Sequence, residues 1–184
     1  MAQSALQSIN IVIQQRRAAL LEMRTEIRQR RAAGEAGISC CQWLSDQVDD
    51  FLRDIVARRL EVHSDVSEEA FTVVAVGGNG RRRPAPFSDV DLLFLVDPKK
   101  QTVVEAFLKE VVRDCWDAGI QPGSSIRTPS DVVRFAAEDV QFATSLIETR
   151  ALTGNEKLLK STLQQVRSRV FADRPEKLIR TQLV

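Results

Sequence analysis

The chain has 184 residues, enough for one well-buried domain plus an additional helical element. Its 26 lysines and arginines meet 25 acids, so the formal net charge is +1 and no global field draws in a polyanion or an anionic membrane. Apolar residues make up 43% and charged residues 28%, an ordinary globular balance, and no run approaches the roughly 20 apolar residues of a membrane helix. The N-terminus is polar almost from the start and lacks the basic-then-apolar pattern of a signal peptide, so the expected location is the cytoplasm. Neither a membrane nor a nucleic acid is an expected partner.

Three cysteines, Cys40, Cys41 and Cys115, give no disulfide framework and no Cys-x-x-Cys pair. His63 is the only histidine, which argues against a zinc site and against a triad built on imidazole. It reads as a solvated residue at a helix end.

Residues 4 to about 33 have helical spacing. Leu6, Ile9, Ile13, Leu20 and Ile27 recur near a helical period. Arg16, Arg17, Arg28, Arg30 and Arg31 read as a solvated face, because Glu22, Glu26 and Glu35 interleave with them. Gly34 and Gly37 break the pattern. A second helix follows, with Cys41, Leu44, Val48, Phe51, Leu52 and Ile55 on one stripe.

At residue 71 the texture changes. Phe71 to Val76 is a short β-rich run that ends in Gly77-Gly78. A basic turn, Arg81-Arg82-Arg83-Pro84, leads to Pro86, and Val90 to Val96 reads as a second, buried strand stopped by Asp97-Pro98. Residues 101–118 are expected to be a helix with Val104, Phe107, Leu108, Val111 and Val112 on the sheet. Ile120 to Arg127 is a candidate third strand. Thr128-Pro129-Ser130-Asp131 carries the marks of a helix start, with a threonine cap, proline at the first helical position and an acid three residues on. That helix is expected to run to Leu152, with Gly154 closing it. Residues 156–171 form another amphipathic helix, and the segment around Pro175 reads as the start of something longer. The expected division is a helical region at 1–66, a core at 67–155 and a C-terminal helical segment at 156–184.

The informative segment is residues 77–95, GGNGRRRPAPFSDVDLLFL. Side chains in a strand alternate faces, so Asp89 and Asp91 should point the same way. Two carboxylates a short distance apart repel unless a cation sits between them or one takes a proton. Hard oxygen ligands of this kind suit magnesium. The glycines after the first strand let backbone approach a ligand closely, turn amides can bind phosphate oxygens, and Ser88 adds a hydroxyl beside the first carboxylate. The combination reads as a triphosphate site; the plain alternative is a β-turn-β with two exposed acids.

The same segment resembles the nucleotidyltransferase signature of the DNA polymerase β-like superfamily. More closely, it resembles the N-terminal domain of the PII-protein uridylyltransferases. The resemblance rests on Gly77-Gly78-Asn79-Gly80-Arg81, on Pro86-Phe87-Ser88-Asp89-Val90-Asp91-Leu92-Leu93, and on two later blocks. These are Cys115 to Gly119 with Gly123 to Thr128, and Asp139 through Thr144 to Arg150, closing at Gly154. It implies an α+β fold, with a small mixed sheet of the polymerase β-like type flanked by helices and an N-terminal helical extension. It also implies an enzyme transferring a nucleoside monophosphate, UMP from UTP, to a PII-type signalling protein. Asp89 and Asp91 would be catalytic and bind magnesium or manganese. Gly77, Gly78, Ser88, Arg81 and Arg127 would bind nucleotide.

There are departures. The family usually has an aromatic where Asn79 stands, and neither Arg82, Arg83 nor Pro84 is usual in the turn. Gly123 to Thr128 offers no acid where many superfamily members have a third carboxylate. Asp139 and Glu148 are expected on a helix, as surface charge or paired with Arg150. The larger relatives carry a histidine-rich phosphohydrolase site that one histidine cannot furnish. The alternatives are a nucleotidyltransferase with another acceptor, and a nucleotide-sensing or interaction module with degraded catalysis.

Overall fold

The computed structural model describes residues 2–172, without the side chains of residues 2–10, 12, 13, 16 and 24. The side chains of Leu6, Ile9, Ile13 and Arg16 in the expected first-helix pattern, and the segment around Pro175, therefore lie outside what is described. Two long helices open the chain, α1 (Ala2–Ala32) and α2 (Gly37–Val62). Then come β1 (Phe71–Ala75), a single helical turn α3 (Gly77–Gly80), β2 (Val90–Val96), α4 (Gln101–Asp117) and β3 (Pro122–Arg127). The chain continues through α5 (Pro129–Glu138), α6 (Val140–Ser145), β4 (Arg150–Gly154) and α7 (Glu156–Val166). A π-helical turn, Arg167–Phe171, extends the last helix.

The four strands form one mixed sheet in the order β3-β2-β1-β4. β1 pairs antiparallel with both β2 and β4, while β2 and β3 run parallel with Asp91 opposite Gly123. Strand alternation divides the core in two. Phe71, Val73, Leu92, Phe94 and Val96 pack with α1, α2 and α4 residues such as Ile27, Phe51, Ile55, Phe107 and Val111. Val74, Leu93 and Leu95 face the other way, onto Val132 and Ala136 of α5, Ala143 of α6, and Leu159 and Val166 of α7. A sheet covered on both faces needs apolar residues at consecutive positions, which is why most of β2 reads as an unbroken apolar run and β1 is apolar except at Thr72, whose buried hydroxyl donates to the Asn155 carbonyl. This is an α+β fold, a mixed sheet flanked by helices with a helical region before it.

The expected long helix ending near Leu152 is not there. Asp139 interrupts it: its side chain accepts hydrogen bonds from the amides of Gln141 and Phe142, at 2.8 and 3.1 Å, and starts the separate helix α6. Residues 150–154 then form β4. Ala151 and Leu152 favour helix locally, but Leu152 packs on the α2 side of the sheet and Ala151 on the α5 side, so pairing with β1 overrides propensity. Gly154 ends a strand rather than a helix. Its φ is +90°, and a Cβ there would lie 2.3 Å from the Phe71 carbonyl oxygen. Asp139 and Glu148 accordingly do not share a helix surface.

The α5 start forms as expected. Thr128 Oγ1 accepts from the Asp131 amide while the Asp131 side chain accepts from the Thr128 amide, a complete capping box. Between α2 and α4, the Arg59 guanidinium holds both oxygens of Asp114, at 2.5 and 2.6 Å, with both side chains buried. His63 ends α2, its Nε2 3.1 Å from Glu110 and its ring edge-on to Phe107, so it is held rather than simply solvated. No helix among the described residues is long and apolar enough to cross a membrane.

Candidate active site

The end of β1 and the start of β2 lie side by side, and the chain between them builds the site. Gly77 has φ +56°, a backbone state costly for any residue with a side chain. The chain then makes one helical turn, closed by the Gly80 amide on the Val76 carbonyl at 2.9 Å. Asn79 is 2% exposed, and a buried amide must find partners. Its Oδ1 accepts from the backbone N–H of Asp91 at 3.1 Å. The Asp91 carbonyl in turn accepts from the Val76 amide at 3.1 Å. Both backbone polar groups of Asp91 are therefore fixed to the turn.

The Asp91 carboxylate projects on the α5–α6 side of the sheet, between two glycines. A Cβ on Gly77 would lie 3.1 Å from Oδ2, and one on Gly123 would lie 3.3 Å from Oδ1. Both oxygens are left accessible because neither neighbour has a side chain. Among the described residues this carboxylate makes no hydrogen bond or ion pair. Burial raises its pKa, the negative charge of Asp89 raises it further, and Arg81 opposes both. Asp89 stands immediately before β2, close enough for its charge to be felt at Asp91.

Asp91 opens into a polar groove of about 650 Å³ lined by Gly77, Gly78, Arg81, Gly123, Ser124 and Ser125, with Asp139, Gln141, Phe142, Thr144 and Ser145 on the far wall. Arg81 reaches across to Glu148 at 3.1 Å, an exposed pair. Two of the expected nucleotide ligands stand apart. Ser88 donates its hydroxyl to the Ala85 carbonyl at 3.0 Å and lines a separate cavity of about 200 Å³ with Leu44, Val48, Pro86 and Phe87. Arg127 lies with its guanidinium 3.7 Å from the Phe135 ring centre and 5.2 Å from that of Phe142. The structure thus brings Gly77, Gly78, Arg81 and Asp91 into one groove, with Asp89 beside it.

Sequence reasoning missed the groove wall from α6, the serines of β3 and the part played by Asn79. The later two blocks were visible as motifs, but their meeting across the groove depends on the sheet order. Asn79 stood out only as an unusual residue in a glycine turn. Among the described residues no three acidic, cysteine or histidine side chains come together as a metal cluster; Asp139, on the far wall of the groove, is not grouped with Asp89 and Asp91.

The class is an α+β domain whose glycine turn and Asp91 open onto one polar groove, with Asp89 just before the same strand. No protein-family profile matches the chain. It is 36% identical over 146 residues to the bifunctional uridylyltransferase/uridylyl-removing enzyme of Azospirillum brasilense, covering 77% of this chain and 16% of that enzyme. The like-named enzyme of Phenylobacterium zucineum is 34% identical over 179 residues, 91% of this chain and 19% of the relative. That of Cupriavidus metallidurans is 43% identical over 102 residues, 55% of this chain and 11% of the relative. By sequence the chain belongs to this uridylyltransferase family. It spans less than a fifth of the length of these relatives.

Proposed function

We propose that this chain is a metal-dependent nucleotidyltransferase that moves UMP from UTP to a protein acceptor of the PII signalling type. The observation that carries the reading is the Asp91 carboxylate, held between Gly77 and Gly123 with both oxygens accessible and Asp89 beside it. Asp91 is exposed overall, yet even partial desolvation disfavours its ionised form, and the charge of Asp89 nearby worsens it. A divalent cation relieves both costs at once. Hard oxygen donors and the absence of competing hydrogen bonds fit magnesium or manganese held by Asp89 and Asp91. Such an ion, when bound, neutralises triphosphate charge and favours in-line displacement at the α-phosphorus.

The chain's own residues do the positioning. The half-buried Gly77 and Gly78 line the groove, where backbone amides can take phosphate oxygens, and Arg81 adds a cation to the same lining. In the transfer, the acceptor hydroxyl gives up its proton to solvent and its oxygen forms a bond to the α-phosphorus. The bond from that phosphorus to the bridging oxygen breaks, and pyrophosphate leaves. The matched relatives' name supports uridylyl as the transferred group. The cytoplasm remains the proposed location.

The test is to supply the chain with α-labelled UTP, magnesium and a PII-type protein, and to follow label into the protein. Transfer that needs metal and disappears in Asp91→Asn supports the reading. One observation favours a second reading, a nucleotide-binding module without transfer: Gly123, the strand partner of Asp91, offers no third carboxylate. Metal-dependent UTP binding with no transfer to any acceptor or to water would select it.

A further inference from the structure

Arg150, the first residue of β4, is far from the groove in sequence and lies behind the glycine turn in space. It spends its guanidinium on two structures at once. Nε donates to the Gly80 carbonyl at 3.1 Å and Nη2 to the Asn79 carbonyl at 2.9 Å. On the other side, Nη1 donates to Asp49 Oδ2 at 2.7 Å, and Nη2 lies 3.2 Å from Ser45 Oγ and 3.4 Å from Asp49 Oδ1. Asp49 and Ser45 are buried residues of α2, so the guanidinium is anchored in the helical layer. A planar fork of fixed donors suits this job, which a lysine cannot reproduce.

We propose that Arg150 is a positioning residue for Asp91, acting through the glycine turn. The chain of contacts is continuous. Asp49 and Ser45 orient Arg150, and Arg150 holds the carbonyls of Asn79 and Gly80. The Asn79 side chain then holds the Asp91 backbone N–H. The turn also bonds to itself, with the Arg82 amide on the Asn79 carbonyl at 3.1 Å and the Arg83 amide on the Gly78 carbonyl at 2.9 Å, and Arg150 ties that unit to α2 from outside. Its far end is wedged, because a Cβ on Gly80 would fall 1.8 Å from the Glu148 carbonyl oxygen. Arg150 and Glu148 lie two residues apart, so the approach to β4 both buttresses and ties the turn. The angle at which Gly77, Gly78 and Asp91 face the groove is thereby set from α2. Only the manganese readout of this proposal rests on the metal-dependent reading of the site.

The experiment uses the full 184-residue chain, labelled with nitrogen-15, as wild type, Arg150→Lys, Asp49→Asn and Asn79→Ala. Amide hydrogen exchange is read residue by residue, and binding of manganese alone is read by electron paramagnetic resonance. The expected result is that the Asp91 and Gly80 amides exchange about tenfold faster in all three variants, the scale of one lost hydrogen bond. The amides of Val73 and Phe94, inside the sheet, should keep their protection. Manganese affinity should fall in the same three variants. A general loosening, with Val73 and Phe94 accelerating alongside Asp91, would reduce Arg150 to a structural residue and overturn the proposal. So would Asn79→Ala freeing the Asp91 amide while Arg150→Lys leaves it protected. If the wild type binds no manganese, the metal-dependent reading of the site fails, and the exchange pattern still decides the role of Arg150.

Discussion

Gly123 stands opposite Asp91 in the parallel β2–β3 pair, and a Cβ at that glycine would come within 3.3 Å of Asp91 Oδ1. The contact is tight enough that the carboxylate must shift by a few tenths of an ångström, while nothing else lies within 4 Å of the added atom. Gly123→Ala should therefore fold normally and lose affinity for magnesium-dependent UTP by about tenfold, since small displacements of positioned ligands are costly. Isothermal titration with UTP, with and without magnesium, reads this directly. Unchanged affinity in a natively folded variant would remove the Asp91 oxygen nearest Gly123 from the site.

The charge on Asp91 should cost stability when no cation is bound. Burial and Asp89 raise its pKa in the folded chain. A raised carboxyl pKa contributes stability that is fully present below the unfolded value, and this is lost as pH rises through the folded value. Asp91→Asn should accordingly melt higher than wild type at neutral pH. The gain should be no more than about 2 °C, because solvent screens a largely exposed carboxylate. The gain should vanish once the pH falls below the ordinary value of 3.8. Magnesium should stabilise the wild type and not the variant. Melting curves across pH, with and without metal, check both halves; equal melting points at neutral pH would show that the charge is not strained.

Where side-chain pattern alone decides the structure, the sequence was readable. The apolar run after Asp91 is buried on both faces and could hardly be anything but an inner strand. The Thr128-Pro129-Ser130-Asp131 start rests on local hydrogen bonds and forms as read. β4 was not readable, because Ala151 and Leu152 favour helix and their strand state comes from pairing with Val74 and its neighbours, about 75 residues earlier in the chain. The site follows the same division. Gly77, Gly78, Arg81 and Asp91 belong to one local segment and meet in one groove. Ser88, from the same segment, turns its hydroxyl to its own loop, since the Pro84–Pro86 path carries it toward the α2 side. The groove wall from α6, and the Arg150 contacts to Asn79 and Gly80, depend on tertiary packing that no spacing encodes.

The glycines of the turn should differ sharply in tolerance. A Cβ at Gly78 meets only ordinary contacts, at 3.7 Å from the Arg83 carbonyl oxygen, whereas one at Gly80 meets the Glu148 carbonyl oxygen at 1.8 Å. Backbone cannot retreat as a flexible side chain can. Gly80→Ala should destabilise the chain by about 1–3 kcal/mol, the usual range of overpacked sites. Gly78→Ala should stay within about 1 kcal/mol of wild type. Urea denaturation of both variants measures the difference. Equal midpoints would show that the approach to β4 moves aside to accept the methyl group.

The last expectation concerns the helical layer that anchors the sheet from the α2 side. Arg59 is 4% exposed, and its guanidinium is held by both oxygens of Asp114, itself 2% exposed, and by Glu110 at 2.6 Å. The Asp114 hydrogen bonds are the main cause raising the Arg59 pKa, so the cation stays charged whatever the pH. Removing its principal partner leaves a buried charge that Glu110, which is partly exposed and shared with His63, only partly answers. Asp114→Ala should cost about 3–5 kcal/mol, the usual penalty for breaking a buried pair from one side. The double variant Arg59→Met with Asp114→Ala should recover much of that loss, because an apolar pair of similar volume needs no solvation. Urea denaturation of the two variants and wild type forms the comparison. A double variant no more stable than Asp114→Ala alone would mean that the arginine stem and its packing against α4, rather than its stranded charge, carry the cost.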